Sequence, residues 1–404
     1  MSACARAKAG SFPALLQRSD PNLRERPWAR SNAYDEAHVR VTFRLWVLAP
    51  PILRHWRSFS TWDIEWQLMT TSPDLALAIA ELLNDPPLEE ACASNSLLDN
   101  PQALRGRLKE DGYLYFQHLL DVPTLLTLRR EITAILRDKG WLDREFDPSE
   151  AVGVGEIPVE GEPRYFEVYD EIQKLELFHA LPHDVRLMDL MRRLLGERAY
   201  PHPLLIARLI YSDNMECTTP PHQDFPNNQG TPALYTTWIP LGNCPRELGP
   251  IAVIPGSHRA GVLPLEFALG SGHRRCVLPE ALRGKTWVTA NFSLGDVFVF
   301  HSLTVHRSLL NRSRRKFRIS VDFRYQREGE PMTENCLFPQ FQRLPWAEIY
   351  KGWKSRKYQY YWKKLELRFV PWDRSLHELP EDHLPAAAFR KHMFDKVRAE
   401  RARE

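Results

Sequence analysis

Short apolar runs separated by proline, glycine, asparagine and aspartate fill the chain from about residue 203 to residue 326. The runs are Leu204–Tyr211, Leu234–Pro240, Ile251–Ile254, Trp287–Ala290, Val297–Phe300 and Arg318–Tyr325. Short runs between turn residues are typical of β-strands, and many in series are typical of a sandwich or a barrel. In the last run Arg318 and Asp322 alternate with Ile319 and Val321, as on a strand with one polar face. This pattern predicts an all-β core.

Helical and turn patterns lie on both sides of this core. Apolar positions recur at three- and four-residue spacing in Asp121–Leu136, which predicts an amphipathic helix. A second helix is predicted over Pro182–Leu195 and a short one over Ser72–Leu83. Glu110–Phe116 is predicted to form a turn and a strand. Residues 336–404 are rich in aromatic and basic side chains and are expected to be helical.

The predicted organisation has three parts: a partly helical leader over 1–104, a β-core domain over 105–335 and a helical extension over 336–404. Hydrophobic residues make up 43% of the 404 residues, which is enough for a sizeable core. The 54 Lys+Arg against 51 Asp+Glu give a net charge of +3, so a nucleic-acid partner is not expected, although both ends of the chain are basic.

Cysteine spacing and hydropathy bear on the compartment. The six cysteines include no CxxC pair, which fits reduced thiols in an intracellular protein. No run approaches the about 18–20 apolar residues of a membrane span. We expect a cytoplasmic protein, with an organelle transit peptide in the first nineteen residues as the weaker alternative. The oligomeric state cannot be read from the sequence.

The segment Pro220-Pro-His-Gln-Asp-Phe225 is the most informative for chemistry. On a strand, His222 and Asp224 would share a face, so an imidazole and a carboxylate could converge on one Fe(II), Mn(II) or Zn(II) ion. An H-x-D pair alone is common by chance. Further along, a strand pattern reaches His306, and Arg318 follows on the next strand. Two histidines and one acid leave open positions on an octahedral ion for a 2-oxo acid and O₂, and an arginine suits the distal carboxylate of that acid.

At these residues the sequence resembles the phytanoyl-CoA dioxygenase family of Fe(II)- and 2-oxoglutarate-dependent oxygenases. The motifs that carry the resemblance are Pro221-His-Gln-Asp224, Leu248-Gly-Pro-Ile-Ala-Val-Ile-Pro-Gly-Ser-His258, and Gly295-Asp296 through His306-Arg-Ser-Leu-Leu-Asn311 to Arg318. The resemblance covers about 105–330. It implies a double-stranded β-helix (a jelly-roll, cupin-like core) with N-terminal helices packed on one sheet, followed by the C-terminal helical extension.

The resemblance also implies roles for individual residues. His222, Asp224 and His306 would be the catalytic iron ligands, and Arg318 would bind 2-oxoglutarate, with Ser308 hydrogen-bonding beside it. Gln223 and Trp238 fall where the family places cofactor contacts. The family usually has its arginine one residue closer to the distal histidine, and three cationic side chains crowd the same turn. The competing residues are Arg314, Arg315 and Lys316 for the cofactor, and His301 for the distal ligand.

The resemblance predicts the reaction type but not the substrate. Related halogenases lack the ligand carboxylate, so Asp224 favours hydroxylation, desaturation or ring formation of a small molecule, with release of succinate and CO₂. The alternatives are a non-catalytic metal-binding β-barrel and an oxygenase that acts on a macromolecule. No CoA-binding motif is recognisable, and fold alone does not fix a substrate.

Overall fold

Two β-sheets face each other at the centre of the chain. The computed structural model describes residues 85–155, 157–212, 218–268, 270–377 and 379. The helix expected at Ser72–Leu83, the transit peptide and the end of the C-terminal extension lie outside these residues. The strands, in chain order, are β1 (Leu88–Glu90), β2 (Tyr113–Phe116), β3 (Ala199–Ile210), β4 (Tyr235–Pro240), β5 (Ile251–Val253), β6 (Leu265–Phe267), β7 (Arg274–Cys276), β8 (Trp287–Thr289), β9 (Val297–His301), β10 (His306–Ser308), β11 (Arg318–Arg327), β12 (Pro331–Met332) and β13 (Arg368–Phe369).

The two sheets have the strand orders β1-β8-β5-β10 and β2-β9-β4-β11-β3. Among the described residues they remain two separate sheets rather than one closed barrel, and β6-β7 and β12-β13 form two small additional pairs. This arrangement confirms the predicted jelly-roll core. Each of the six predicted strands is present, with ends that differ by a few residues.

The described residues form seven α-helices, and the first five of them pack on the outer face of the five-stranded sheet. The seven are α1 (Pro101–Asp111), α2 (Val122–Asp138), α3 (Pro163–Gln173), α4 (Glu176–Ala180), α5 (Val185–Leu195), α6 (Phe225–Asn228) and α7 (Trp346–Ile349). Asp121 caps α2 by accepting from the Thr124 amide, and Leu125 and Leu128 of α2 join one apolar cluster with Ile319 and Val321 of β11. Because the helices cover the side of β11 that carries Ile319 and Val321, the other side of β11 faces the space between the two sheets.

The inner faces of the sheets form a second apolar cluster. Trp238 of β4 and Phe298 of β9 pack there with Ile251 and Val253 of the opposite sheet. Polar side chains lie on the same inner face of β11, because its inward positions alternate with the outward apolar ones. The register opposes Asp322 to Trp238, so this polar row lies beside the apolar filling of the sandwich.

The described end of the predicted leader, from residue 85 onward, is continuous with the core. Strand β1 pairs in parallel with β8, and Ala93 forms a bridge with Tyr115 of β2. Residues 88–93 therefore extend both sheets. Among the described residues, no helix is long and apolar enough to cross a bilayer.

The C-terminal extension contains less helix than predicted. Up to residue 377 it has the four-residue helix α7 and several 3₁₀ turns. Pro339, Pro345 and Pro371 interrupt helical hydrogen bonding, and the aromatic side chains pack on one another instead. Trp346 stacks on Tyr350, with ring centroids 5.4 Å apart. From residue 336 to residue 377 the extension is therefore an aromatic layer rather than a helical one.

Beyond this layer the chain returns to the segment that follows the H-x-D motif. The amide of Gln229, just after α6, donates to the Asp373 carbonyl oxygen at 2.8 Å, and the Asp373 N–H donates to Gln229 Oε1 at 2.7 Å. Arg274 of β7 donates to the His377 carbonyl oxygen. We name residues 366–377 the C-terminal brace.

Candidate metal and cofactor site

His222, Asp224 and His306 meet at one end of the space between the sheets. All three are buried, and one potential ligand atom from each lies within 4.8 Å of the others. Asp224 Oδ1 is 3.9 Å from His222 Nε2 and 3.8 Å from His306 Nε2. The backbones of the two histidines exchange hydrogen bonds of 2.8 and 2.9 Å, so the loop with the first pair of residues is joined to β10. The structure brings together the three residues that the sequence predicted.

Hydrogen bonds fix which nitrogen of each imidazole is available. His222 Nδ1 is 2.8 Å from the Pro220 carbonyl oxygen, and His306 Nδ1 is 3.0 Å from that of Thr304. A carbonyl oxygen can only accept, so both Nδ1 atoms carry the proton and both Nε2 lone pairs point to the cluster. Burial lowers the pKa of His222 to about 3 and also lowers that of His306, which keeps both rings neutral, as metal ligation requires.

The Asp224 carboxylate accepts hydrogen bonds from the buried Arg324 guanidinium and the Thr236 hydroxyl. Arg324 Nη2 donates to Asp224 Oδ1 at 3.1 Å, Arg324 Nε donates to Oδ2 at 3.3 Å, and the Thr236 hydroxyl donates to Oδ2 at 2.5 Å. Burial acts to raise the pKa of Asp224, but Arg324, the two histidines and Thr236 outweigh it and hold that pKa well below its usual range. The carboxylate is therefore ionised with its orientation fixed.

Arg318 lies further along the inner face of β11, fully enclosed. Its Nη2 donates to the Ser308 hydroxyl at 3.0 Å, and its guanidinium carbon is 5.6 Å from the Trp238 ring centroid. No carboxylate of the described residues forms an ion pair with Arg318, and burial lowers its pKa to about 10, which still leaves it charged at neutral pH. A buried cation without a counter-charge is unfavourable unless a bound anion completes it.

Among the cationic alternatives to Arg318, Arg315 is engaged elsewhere: it donates to the Gly153 carbonyl oxygen and pairs with Asp143. The backbone of Lys316 bridges to that of Val152. The alternation of β11 places Arg318 on the inner face, which favours the prediction for Arg318 despite the one-residue difference in spacing.

His301 does not join the cluster. Its Nδ1 accepts a hydrogen bond from the Leu303 amide at 3.1 Å, so in the neutral ring Nε2 carries the proton and has no lone pair for a metal. Its ring lies 5.3 Å from that of His258, whose Nε2 donates to the Lys109 carbonyl oxygen. His301 and His258 together hold the loop at the end of β9.

The structure does not bring Gln223 to the cofactor residues. Its amide nitrogen donates to the carbonyl oxygens of Gly261 and Leu303, and its oxygen accepts from the Leu263 amide at 2.9 Å. As the residue between His222 and Asp224, it faces the opposite way. Gln223 thus fastens the ligand segment to the neighbouring loops, and its cofactor contact stays a prediction.

Buried polar atoms without partners mark the space that a ligand would fill. Arg318 Nε, Ser320 Oγ, Asp322 Oδ1 and Arg324 Nη1, all on the inner face of β11, have no hydrogen-bond partner. Buried polar groups are nearly always satisfied in folded proteins, so a row of four indicates a bound polar molecule. Neutral imidazole and carboxylate ligands suit Fe(II), and donors beside a buried arginine suit a dicarboxylate.

Sequence reasoning missed Arg324, Thr236 and Arg208. Arg324 shares the inner face of β11 with Arg318 and was visible in that alternation. Thr236 and Arg208 become recognisable only through the register, which places Thr236 opposite Arg324 and Arg208 opposite Ser320.

Two histidines and one acid with open positions are the facial triad of non-haem iron oxygenases. Together with the jelly-roll core and the enclosed arginine, they define an Fe(II)- and 2-oxoglutarate-dependent dioxygenase that uses O₂. The phytanoyl-CoA dioxygenase (PhyH) profile matches residues 108–320, more than half of the chain, and the protein belongs to this family.

Curated relatives include two bacterial enzymes. The chain is 26% identical over 276 residues to 1-deoxypentalenic acid 11-beta-hydroxylase of Streptomyces exfoliatus, covering 63% of this chain and 89% of the relative. It is 27% identical over 281 residues to the enzyme of the same name from Streptomyces arenae, with the same coverage.

Solved structures with a similar fold include the epimerase SnoN in complex with Fe³⁺, alpha ketoglutarate and nogalamycin RO. That match has 20% identity, a TM-score of 0.42, and covers 58% of this chain and 85% of SnoN. EctD from S. alaskensis in its apoform also matches, with 20% identity, a TM-score of 0.39, and coverage of 65% of this chain and 87% of EctD.

Proposed function

We propose that this oxygenase hydroxylates an unactivated C–H bond of a small molecule. His222, Asp224 and His306 would hold Fe(II), and Arg318 with Ser308 would bind the distal carboxylate of 2-oxoglutarate. The observation that carries the proposal is the buried, unpaired Arg318 beside three converging ligands. Bound together, Fe(II) and 2-oxoglutarate activate O₂ for C–H oxidation, with succinate and CO₂ as co-products.

The residues of this chain would orient and enclose the site. The Pro220 and Thr304 carbonyls hold the imidazoles, Arg324 and Thr236 hold Asp224, and the Trp238 ring lies against Arg318. The carboxylate of Asp224 would occupy the position that a halide needs, which favours hydroxylation over halogenation. The inner cluster of Trp238, Phe298 and their neighbours keeps water from the floor of the site.

Small-molecule substrates are supported by the curated relatives, whose name describes a hydroxylase of 1-deoxypentalenic acid. A non-catalytic metal-binding protein is less well supported, because such a protein has no need for an enclosed arginine beside the ligands. For the chain as a whole we keep as a proposal the oxygenase unit at 105–335, preceded by a leader and followed by an extension.

The test is an anaerobic titration with Fe(II) and 2-oxoglutarate, followed by the metal-to-ligand charge-transfer band in visible absorption. Wild type should develop the band. His306→Ala should abolish it, and Arg318→Ala should require at least about tenfold more 2-oxoglutarate, because a charge-assisted pair is lost.

Matched controls are His301→Ala and Arg327→Ala, since Arg327 is an exposed arginine on the same strand as Arg318. Both controls should behave like wild type. A folded, iron-loaded wild type without the band would refute the oxygenase proposal. Loss of the band in His301→Ala but not in His306→Ala would reassign the distal ligand.

A further inference from the structure

Arg208 on β3 is a third guanidinium that faces the same space and serves neither the metal ligands nor Arg318. It lies directly opposite Ser320 of β11, and residues opposite each other on antiparallel strands share a face. Ser320 in turn shares its face with Arg318 and Arg324.

Only one edge of the Arg208 guanidinium is occupied. Its Nε donates to Asp322 Oδ2 at 3.0 Å, and the structure gives its two terminal nitrogens no hydrogen-bond partner among the described residues. A guanidinium has five N–H donors, so four remain. The Arg208 side chain is 20% exposed, so on β3, the edge strand of the five-stranded sheet, its free edge can be reached from solvent.

The groups beside Arg208 are also incomplete. The Ser320 hydroxyl, opposite Arg208 on β11, is buried and has no hydrogen-bond partner. The second carboxylate oxygen of Asp322, Oδ1, is also buried without a partner. Arg208 and Ser320 together offer donors from two strands toward one point. Among the described residues, the terminal nitrogens of Arg208 and the Ser320 hydroxyl have no acceptor within hydrogen-bond distance, and Asp322 Oδ1 has no donor.

Charge on this face points to an anion. Arg208, Arg318 and Arg324 contribute three positive charges, and Asp224 and Asp322 contribute two negative charges. Fe(II) and the 2-oxoglutarate dianion would cancel each other, so one positive charge is left over.

Glu160 on the loop before α3 also attracts Arg208, but it forms no ion pair with Arg208. Its carboxylate instead accepts from the Ser271 hydroxyl at 2.7 Å. Glu160 therefore belongs to the contact between two loops, and the free edge of Arg208 is left for a bound molecule.

We propose that Arg208, assisted by Ser320, binds a carboxylate of the substrate, so that the enzyme acts on small apolar acids. A monoanion fits better than a phosphate dianion, because Asp322 already offsets part of the Arg208 charge. This inference rests on the proposed function. It is distinct from the proposed binding of 2-oxoglutarate by Arg318, which lies two residues before Ser320 on the same face of β11.

The test uses the full chain loaded with Mn(II) and saturating 2-oxoglutarate under argon, so that no turnover occurs. The probes are cyclohexanecarboxylate and cyclohexanecarboxamide, which share a shape and differ in charge. Paramagnetic relaxation of the ring protons by Mn(II) reports only probe bound near the metal. Wild type should bind the acid about tenfold more tightly than the amide, as expected for a charge-assisted contact.

Arg208→Gln should abolish this preference without changing the 2-oxoglutarate requirement of the charge-transfer band. Arg208→Gln leaves the Asp322 carboxylate without its cationic partner. The double variant Arg208→Gln/Asp322→Asn removes both charges of the pair and should lose the acid preference to the same extent as the single variant. Arg327→Gln is the control and should retain it. Equal binding of acid and amide by wild type, or an acid preference that survives in both Arg208 variants, would overturn the inference. A missing charge-transfer band in wild type would instead count against the proposed function.

Discussion

Arg324 determines how Asp224 presents itself to a metal. The guanidinium reaches both carboxylate oxygens, and Thr236 adds a bond to one of them, so rotation of the carboxylate is restricted. Outer groups of this kind tune metal affinity nearly as strongly as the ligands themselves. Arg324 is thus a positioning residue, six residues along β11 from Arg318, the proposed cofactor-binding arginine.

Replacing Arg324 tests this role. Arg324→Gln should weaken Fe(II) binding about 10- to 100-fold, because Asp224 loses its orientation and its counter-charge. Arg324→Lys should recover only part of the loss, since an ammonium cannot bind both oxygens as a planar fork. Metal affinity is measured by anaerobic titration, with thermal unfolding of each apo variant run in parallel. Arg324→Gln with unchanged affinity would show that Thr236 alone suffices.

At the scale of elements, Asn311 controls the connection between the distal histidine and Arg318. Its amide donates to the carbonyl oxygens of Ile210 and Lys316, at 2.9 and 2.8 Å, and its oxygen accepts from the Ser313 amide and hydroxyl. One buried side chain therefore ties the end of β3 to the loop before β11. The additional residue in this loop is accommodated without moving Arg318 off the inner face.

Asn311→Ala should lower the free energy of unfolding by about 2–4 kcal/mol, because several buried backbone groups lose their partners. Urea unfolding at neutral pH measures the change. Asn291→Ala is the matched control: Asn291 is exposed, and its side chain accepts one hydrogen bond from Arg246, so its loss should be under about 1 kcal/mol. Equal losses in the two variants would contradict the role given to Asn311.

The strands and the inner face of β11 were predictable because a period of two is written directly in the residues. The three converging residues and Arg318 were predictable because resemblance to a family joined distant motifs. The hydrogen bonds of Gln223 could not be predicted, because Gly261 and Leu303 are distant in sequence and only the folded loops bring their carbonyls to it. The position of Arg208 opposite Ser320 likewise becomes known only from the strand register.

The C-terminal extension was misjudged because aromatic content is compatible with either helices or irregular layers. Trp346, Tyr350 and Trp353 have the i, i+4, i+7 spacing of a helix face, yet α7 ends at Ile349 and these rings pack with Trp362 instead. When aromatic side chains pack mainly on others of the same segment, the local sequence does not distinguish a helix from an irregular layer.

At the scale of the whole molecule, His179 connects the helical layer to this aromatic layer. Its Nε2 donates to the Gln173 carbonyl oxygen at 2.8 Å, and its ring lies 5.1 Å from that of Trp353. Burial lowers the pKa of His179 to about 4, below the usual value near 6.5. Protonation of His179 is therefore coupled to separation of the two layers.

The lowered pKa of His179 sets the direction in which stability changes with pH. A histidine with a lowered pKa in the folded state contributes full stability above about pH 6.5 and loses it as the pH falls toward about 4. The loss from His179 should be about 3 kcal/mol at pH 4. His179→Gln should therefore show a shallower decline in the free energy of unfolding between these pH values, measured with urea. His118→Gln, at a mostly exposed ring, should keep the wild-type slope.

The C-terminal brace has a consequence for the time at which the enzyme can mature. Gln229 lies next to the proposed iron ligands, and its partner Asp373 is 144 residues further along the chain. A nascent chain that has emerged as far as Arg318 already contains every proposed ligand but not the segment that secures their loop. We expect stable iron loading to require this segment, so that the loop with the proposed ligands is secured only after synthesis has passed residue 377.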